Sequence, residues 1–149
     1  MAAECLEVTD TTPSRCLTID ELTSGQTVIQ KFVFRAETIA NFAKVANDRA
    51  PVHNDPRFAM NAGFERPIIQ GLALSTRFSR LIGMYLPGER AILERIDLKY
   101  KAPVFAETQL VYHCTVARVL RPLKVVQLLL AIAIDGHDHV TGQCQCLLR

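Results

Sequence analysis

Long apolar runs and a strong excess of one charge are both missing from this sequence. The longest apolar stretch, from Val125 to Ile134, is interrupted by Gln127 and is shorter than the roughly 18 residues that a transmembrane helix requires. Lysine and arginine number 17 against 15 aspartates and glutamates, so the net charge is only +2. A balance of this kind provides no strong field for nucleic acid or for a membrane surface, and neither is expected as a partner.

A Cys-x-x-Cys pair is also missing, although the chain contains five cysteines. An odd number of cysteines without paired spacing predicts buried free thiols in a reducing compartment rather than a disulfide framework. The first residues, Met-Ala-Ala-Glu-Cys-Leu-Glu, carry acids and lack the basic-then-apolar pattern of a signal peptide. These features together predict a cytoplasmic protein.

The chain has 149 residues, which is enough for one domain with a sizeable core. Its first residues mix Asp, Thr, Pro and Ser without any periodicity. We therefore predict a loose N-terminal arm over residues 1–20, followed by a single domain over residues 21–149.

Hydrophobic periodicity predicts an α+β fold in which an antiparallel sheet surrounds one apolar helix. That central helix, from Leu72 to Leu86, has apolar residues on nearly every side, which is typical of a helix wrapped by other structure. The other predicted helices run from Ala36 to Ala46 and from Asp55 to Met60. The predicted strands are Val28 to Phe34, Ala91 to Lys101, Gln109 to Leu120, Val125 to Asp135 and His139 to Leu148, the last four forming a meander.

The most informative stretch is the loop between the first two helices, Asn47-Asp48-Arg49-Ala50-Pro51-Val52-His53. It carries a carboxylate, Asp48, and an imidazole, His53, and Pro51 prevents it from continuing as a helix. Gly71 follows where the apolar helix begins. A candidate base, a candidate acid and a backbone N–H donor are the groups that acid–base chemistry beside a carbonyl requires.

These residues resemble those of the MaoC-like (R)-specific enoyl-CoA hydratases. The family pattern runs from an aromatic residue through Gly-Asp-x-Asn-Pro-x-His to Phe-x-x-Pro-Ile-x-His-Gly at the start of a helix. Phe42, the loop from Asn47 to His53, and Phe64-Glu65-Arg66-Pro67-Ile68-Ile69-Gln70-Gly71 stand in those places, and Leu86-Pro87-Gly88 and Lys101-Ala102-Pro103-Val104 also have counterparts. The resemblance covers the chain from Glu21 onward and implies a hot-dog fold.

Three positions depart from the family pattern. Asn47 replaces a usual glycine, Ala50 a usual asparagine and Gln70 a usual histidine. Asparagine adopts left-handed backbone geometry more readily than other non-glycine residues, so Asn47 is compatible with the loop. The missing amide at position 50 removes a side chain that braces the loop, which we expect to affect rate or substrate preference more than reaction type.

The resemblance implies reversible addition of water to a trans-2-enoyl thioester, giving the (R)-3-hydroxyacyl thioester, without a metal or an organic cofactor. Asp48 would activate the water, and His53 would hold it or donate a proton. The Gly71 N–H would face the thioester oxygen, and Gln70 and Thr76 are the further candidate substrate-binding residues. The thioester partner is carried by coenzyme A or by acyl carrier protein, and the sequence favours neither.

A homodimer or larger assembly is also expected, because the strand from Val125 to Ile134 is apolar on both faces and a single sheet leaves one of them uncovered. By resemblance, the sheets of two protomers meet edge to edge. The acyl tunnel is predicted beside the central helix, with Leu74 and Phe78 as candidates for setting chain length.

Simpler explanations exist for each residue taken alone. Asp48 and Gly71 suit ordinary turns, and His53 suits a loop. Cys144 and Cys146 are interpreted as core residues rather than nucleophiles. Two other functions stay open for the whole chain: a hot-dog acyl-CoA thioesterase and a non-catalytic module that binds acyl thioesters. His137 and His139 share a strand face, but no third metal ligand lies near them in sequence.

Overall fold

A six-stranded sheet packed against one central helix forms the framework of the protein. The structure is a computed structural model that describes residues 3–149. Its strands are β1 Cys5–Glu7, β2 Thr27–Val33, β3 Ala91–Tyr100, β4 Gln109–Leu120, β5 Val125–Ile134 and β6 His137–Leu148, and its helices are α1 Ala36–Ala46, α2 Pro56–Asn61 and α3 Gly71–Met84. The helix predicted from Leu72 to Leu86 thus ends earlier, since Pro87 disfavours helical geometry at Leu86.

The order of the strands corrects the predicted four-strand meander. Across the sheet they run β1-β2-β4-β5-β6-β3, with antiparallel pairing everywhere except between β1 and β2. Only β4, β5 and β6 form consecutive hairpins; β3 pairs with β6 at the far edge. The β3 strand approaches β6 so closely that a side chain at Gly142 would lie 2.0 Å from the Asp97 carbonyl oxygen. Periodicity identified these strands but carries no information on which strands become neighbours.

The turn between β5 and β6 confirms the hairpin predicted at Asp135-Gly136. Both residues have left-handed backbone angles, with φ of 49° at Asp135 and 78° at Gly136. Two such residues in succession make the type of turn whose twist matches a β-hairpin. Because the turn is only two residues long, β6 begins at His137 rather than at His139.

The core lies between α3 and the inner face of the sheet. The buried side chains of α3 are Ala73, Leu74, Phe78, Leu81 and Ile82, and they face Leu110, Tyr112, Cys114, Leu128, Leu130, Ile132, Val140 and Cys146 in one cluster. The rings of Phe78 and Tyr112 meet edge to face at 5.3 Å between centroids. The Tyr112 hydroxyl donates a hydrogen bond to the Leu74 carbonyl at 2.9 Å, so its polar end is satisfied inside the core.

The prediction of a loose N-terminal arm is wrong for the part that the structure describes; Met1 and Ala2 lie outside the described residues. Strand β1 extends the sheet beside β2, and Val8 and Leu17 are buried in the main core. The Arg80 guanidinium of α3 also donates to the backbone carbonyl of Thr9. These contacts are all with distant residues, and for that reason a local reading of this polar segment missed them.

The cysteines divide into exposed and buried thiols. Cys5 and Cys16 are exposed, whereas Cys114, Cys144 and Cys146 are buried, which confirms that the last two belong to the core. Burial raises the pKa of the Cys114 thiol, because a thiolate is poorly solvated in this apolar cluster. In the part of the chain that the structure describes, no helix is long and apolar enough to cross a membrane.

Phe78 should be a large contributor to stability. It is 0 % exposed, and removing its ring leaves a cavity against Tyr112. We expect Phe78→Ala to lower the free energy of unfolding by about 3–5 kcal/mol in urea denaturation. Phe58→Ala is the matched control, since Phe58 is 47 % exposed and its loss should cost less than about 1 kcal/mol. Equal losses in the two variants would contradict this packing.

Candidate active site

The end of α1 places Asp48 at the start of the loop. Asn47 has left-handed backbone angles, φ 50° and ψ 33°, as predicted for the residue that stops this helix. The N–H of Asp48 then donates back to the carbonyl of Ala43 at 3.0 Å. This arrangement satisfies the last helical carbonyls and turns the chain away from the helix axis immediately before the carboxylate.

The loop is braced by its own carboxylate. Oδ1 of Asp48 accepts a hydrogen bond from the Ala50 N–H at 3.0 Å, and Pro51 begins a 3-10 turn, Pro51–His53. Within the described residues the second oxygen, Oδ2, takes part in no hydrogen bond. One carboxylate oxygen therefore shapes the loop while the other remains available as an acceptor.

The tautomer of His53 is set by a backbone carbonyl. Nδ1 lies 2.8 Å from the carbonyl oxygen of Ile68. A carbonyl can only accept, so Nδ1 carries the proton, and in the neutral ring Nε2 is left with its lone pair. The N–H of Ile68 donates in turn to the carbonyl of Val52 at 3.2 Å, which holds the loop against the segment that leads into α3.

That segment delivers a free backbone donor beside His53. The N–H of Ile69 donates to the Val104 carbonyl at 2.8 Å, Gln70 precedes the helix, and Gly71 is its first residue. The first N–H groups of a helix have no partner within the helix, and the helix dipole adds partial positive charge there. Among residues 3–149, the Gly71 N–H donates no backbone hydrogen bond.

His53 and Gly71 face one cavity of about 450 Å³. Most of its wall is apolar, and it is lined by His53, Phe64, Ile68, Ile69, Gly71, Leu74, Tyr100, Lys101, Ala102, Pro103 and Val104. An imidazole and an N–H donor in an otherwise apolar wall suit a ligand with one reactive carbonyl and an apolar tail.

A second cavity of about 380 Å³ lies on the other side of His53, against α1. It is lined by Ala36, Ile39, Ala40, Ala43, His53, Asn54, Arg66, Pro67, Ile68, Ile69, Gln70 and Ala106. Gln70 is only 4 % exposed, and its Oε1 has no hydrogen-bond partner among the described residues. The two apolar chambers therefore share His53, Ile68 and Ile69 as lining residues.

The structure brings some of the predicted site residues together and leaves others apart. His53, Gly71 and Leu74 share the first cavity, and Gln70 lines the second. Asp48 lines neither of these two cavities and makes no direct hydrogen bond with His53. The Thr76 hydroxyl donates to the carbonyl of Ala73 in its own helix at 2.6 Å, rather than to the loop.

Phe78 does not fit its predicted role in setting chain length. It is fully buried in the core and lines neither cavity, whereas Leu74, one helical turn earlier, does. Residues three and four apart on a helix share one face, but the wall of the cavity ends between these two positions. Leu74 alone remains as the candidate on this helix.

The sequence did not predict that the end of β3 and the segment after it would form part of the wall of the first cavity. Tyr100, Lys101 and Pro103 line the first cavity although they lie far from the loop in sequence. The Lys101-Ala102-Pro103-Val104 element was the available signal, since it has a family counterpart without an assigned role.

The paired histidines of the hairpin are engaged with backbone carbonyls. Nδ1 of His137 lies 3.0 Å from the Asp135 oxygen, and Nδ1 of His139 lies 3.1 Å from the Pro103 oxygen. Among residues 3–149, no group of three or more His, Cys, Asp or Glu side chains is placed to hold a metal ion.

A sheet packed on one central helix, with the Asp48–His53 loop hydrogen-bonded to the segment that enters this helix, is the hot-dog arrangement that the resemblance implies. A family model described as "MaoC like domain" matches residues 9–125. The chain belongs to the MaoC-like domain family, and the predicted resemblance and fold are confirmed.

Curated relatives carry consistent names. The chain is 35% identical over 111 residues to an (R)-specific enoyl-CoA hydratase from Aeromonas caviae, a match that spans 74% of this chain and 83% of the relative. It is 32% identical over 90 residues to a 3-hydroxybutyryl-CoA dehydratase from Methylorubrum extorquens, spanning 60% of this chain and 57% of the relative. Both names describe hydro-lyases, which agrees with the class of enzyme expected from the motif.

Solved structures show the same fold. The (R)-hydratase from A. caviae superposes with a TM-score of 0.82 at 33% identity, covering 87% of this chain and 98% of that chain. An unliganded R-hydratase from Pseudomonas aeruginosa gives a TM-score of 0.79 at 25% identity, covering 88% and 84%.

The hydrogen bond from His53 to Ile68 predicts a measurable tautomer. In the neutral ring we expect the proton on Nδ1, because the Ile68 carbonyl can only accept. Imidazole 15N NMR at a pH above the titration of the ring distinguishes the two nitrogens, and the His53→Gln variant assigns the signal. A neutral ring with its proton on Nε2 would contradict the geometry.

Proposed function

We propose that this protein adds water to trans-2-enoyl thioesters to give (R)-3-hydroxyacyl thioesters, and catalyses the reverse dehydration. Asp48 and His53 act as the acid–base pair, and the Gly71 N–H receives the thioester oxygen. The observation that carries the proposal is the meeting of the His53 imidazole and the unpaired Gly71 N–H in one apolar cavity. Membership of the MaoC-like family and the hydratase and dehydratase names of its relatives support it.

The reaction requires two proton transfers and the stabilisation of one developing charge. A water must lose a proton as its oxygen bonds to C3, C2 must gain a proton, and the thioester oxygen must be stabilised while it carries enolate charge. General acid–base help of this kind is worth about two to four powers of ten in rate. A preorganised N–H donor at the oxygen adds about two to three more.

The water is held between the two side chains. Asp48 and His53 make no direct hydrogen bond. In the proposed mechanism a single water donates to Oδ2 of Asp48 and to Nε2 of His53. The pair removes one proton from this water, the hydroxyl adds to C3, and a proton passes from the pair to C2.

The acyl thioester occupies the first cavity with its carbonyl at Gly71. Leu74 lines that cavity one turn into α3, and its bulk is therefore the limit that we assign to chain length on this helix. Gln70 completes the substrate site from the second chamber. Lys101 lies at the wall of the first cavity and provides positive charge near the carrier of the thioester, whether coenzyme A or acyl carrier protein.

Five free thiols support the proposal of a cytoplasmic location.

Two single variants test the acid–base pair with crotonyl-CoA as substrate. We expect Asp48→Asn and His53→Gln each to lower turnover by about two or more powers of ten, because each keeps shape and removes a proton-transfer group. The double variant should lose far less than the product of the two, since the groups act together. Loss of the conjugated absorbance reports hydration, and a thiol reagent reports hydrolysis in the same sample.

The matched controls make the same two substitutions, Asp to Asn and His to Gln, at residues outside the site. Asp55→Asn changes an exposed helix cap, and His137→Gln changes an exposed hairpin, so both should hydrate at the parent rate. If Asp48→Asn and His53→Gln both react at the parent rate, the loop is only a structural turn and has no catalytic role. Release of thiol by the parent protein would identify a thioesterase, and binding without either change would identify a non-catalytic module.

A homodimer formed through the edge of the sheet follows from the exposed surface of β3. This edge strand exposes Ile92, Leu93, Ile96 and Tyr100 to solvent, and its outer backbone groups have no neighbouring strand. Pairing with a second copy would cover both the backbone and the apolar side chains. Leu129, on the outer face of the central strand β5, is 53 % exposed and offers a second apolar contact.

Sedimentation tests this assembly at micromolar concentration. We expect the parent protein to sediment with twice the chain mass, and Ile96→Glu to shift it toward the monomer, because a charge at the edge opposes pairing. Leu123→Glu is the control, as this exposed residue lies at the turn between β4 and β5. A stable monomer of the parent protein would contradict the proposal.

A further inference from the structure

We infer that Tyr100, braced by Ser75, is a positioning residue that fixes the Gly71 N–H donor in the active site. Tyr100 is the last residue of β3 and shares the first cavity with His53 and Gly71. The inference rests on the proposed function, because it gives Tyr100 a task in stabilising the thioester oxygen of that same reaction.

A chain of two hydrogen bonds links the Tyr100 ring to the backbone of Gly71. The Ser75 hydroxyl donates to the Gly71 carbonyl at 3.1 Å, and the Tyr100 oxygen lies 2.5 Å from the Ser75 oxygen. A serine hydroxyl has one hydrogen, and the carbonyl takes it. Tyr100 must therefore be the donor to Ser75, so the direction of the whole chain is determined.

The ring of Tyr100 also lies close to the α-carbon of Gly71. A Cβ added at this glycine would lie 3.1 Å from both Cε1 and Cζ of the ring, which is closer than an ordinary carbon contact. Gly71 has no left-handed φ, so its backbone conformation does not call for glycine. A side chain at the start of α3 would therefore be in tight contact with the Tyr100 ring, which would have to shift to admit it.

Gly71 is consequently held at two points, and it lines the same cavity as His53. The ring limits movement of its α-carbon, and Ser75 holds its carbonyl. The end of β3 is itself anchored, because the N–H of Lys101 donates to the His139 carbonyl at 2.8 Å. An oxyanion donor must stay within about 2.7–3.1 Å of the charged oxygen, so restraints on Gly71 act on the transition state.

Tyr100 is not placed there by the needs of the core. It is 42 % exposed, on an edge strand whose other side chains are mostly exposed as well. Its hydroxyl instead contacts Ser75, the α3 residue whose own hydroxyl donates to the Gly71 carbonyl.

Steady-state kinetics with crotonyl-CoA test the positioning role. We expect Tyr100→Phe and Ser75→Ala each to lower kcat about three- to tenfold with KM changed less than about twofold, since the donor acts mainly on the transition state. The double variant should match the singles, because both remove the same hydrogen-bond chain. Tyr100→Ala, which also removes the ring, should lower kcat by more than tenfold but less than the about thousandfold loss of a whole oxyanion donor.

A double-mutant cycle tests the contact between the ring and Gly71. Gly71→Ala should lower kcat strongly in the parent protein and much less in the Tyr100→Ala background, where no ring opposes the added methyl group. Ile92→Ala is the control for weakening the edge strand, since it removes exposed apolar surface from the other end of β3. Each variant is also checked for its Tm and its sedimentation.

The outcomes separate the inference from the proposed function. If the parent protein is active and Asp48→Asn is not, parent-like kcat in both Tyr100 variants overturns the positioning role alone. A raised KM with unchanged kcat also overturns it, because Tyr100 would then only form a wall for the substrate. An equal loss in Ile92→Ala assigns the effect to the edge strand. A parent protein that is folded but inactive on enoyl thioesters overturns the proposed function and this inference with it.

Discussion

The segment from Pro67 to Gly71 is held by backbone hydrogen bonds on both of its sides, and the candidate site depends on this restraint. On one side the Ile68 N–H and carbonyl bind Val52 and the His53 ring; on the other side the Ile69 N–H binds Val104. The same segment therefore orients the imidazole and positions the first N–H of α3. Most substitutions other than proline leave backbone N–H and carbonyl groups in place, so such a frame tolerates changes in its own side chains.

Two of the three departures from the family pattern leave the backbone geometry of the loop in place. Asn47 occupies the left-handed position itself, so the usual glycine is not needed. At position 50 the usual amide side chain is gone, yet the backbone N–H of Ala50 still binds the Asp48 carboxylate and shapes the loop. Gln70 is the departure with a visible consequence, because its buried Oε1 has no partner among the described residues and faces the chamber beside His53.

Local patterns predicted most of the elements, and they failed where distant contacts decide. The helix Ala36–Ala46 and the strand Gln109–Leu120 match the predicted bounds, because apolar spacing and turn residues are local signals. The place of β3 beside β6 and the packing of the N-terminal segment were missed. Both depend on contacts between segments that are distant in the chain, and such contacts do not affect the local spacing of apolar residues.

The sequence by itself predicted the family, because Asp48, Pro51, His53 and Gly71 occur at the spacing of the MaoC-like pattern, and the family model matches residues 9–125. Only the tertiary structure decided which groups meet in the first cavity. It brought His53 and Gly71 together there, left Asp48 and Thr76 outside that wall, and added Tyr100 from the edge of the sheet. The physical reason is that a cavity is bounded by segments that are distant in the chain, and their approach is set by strand order and core packing rather than by any local pattern.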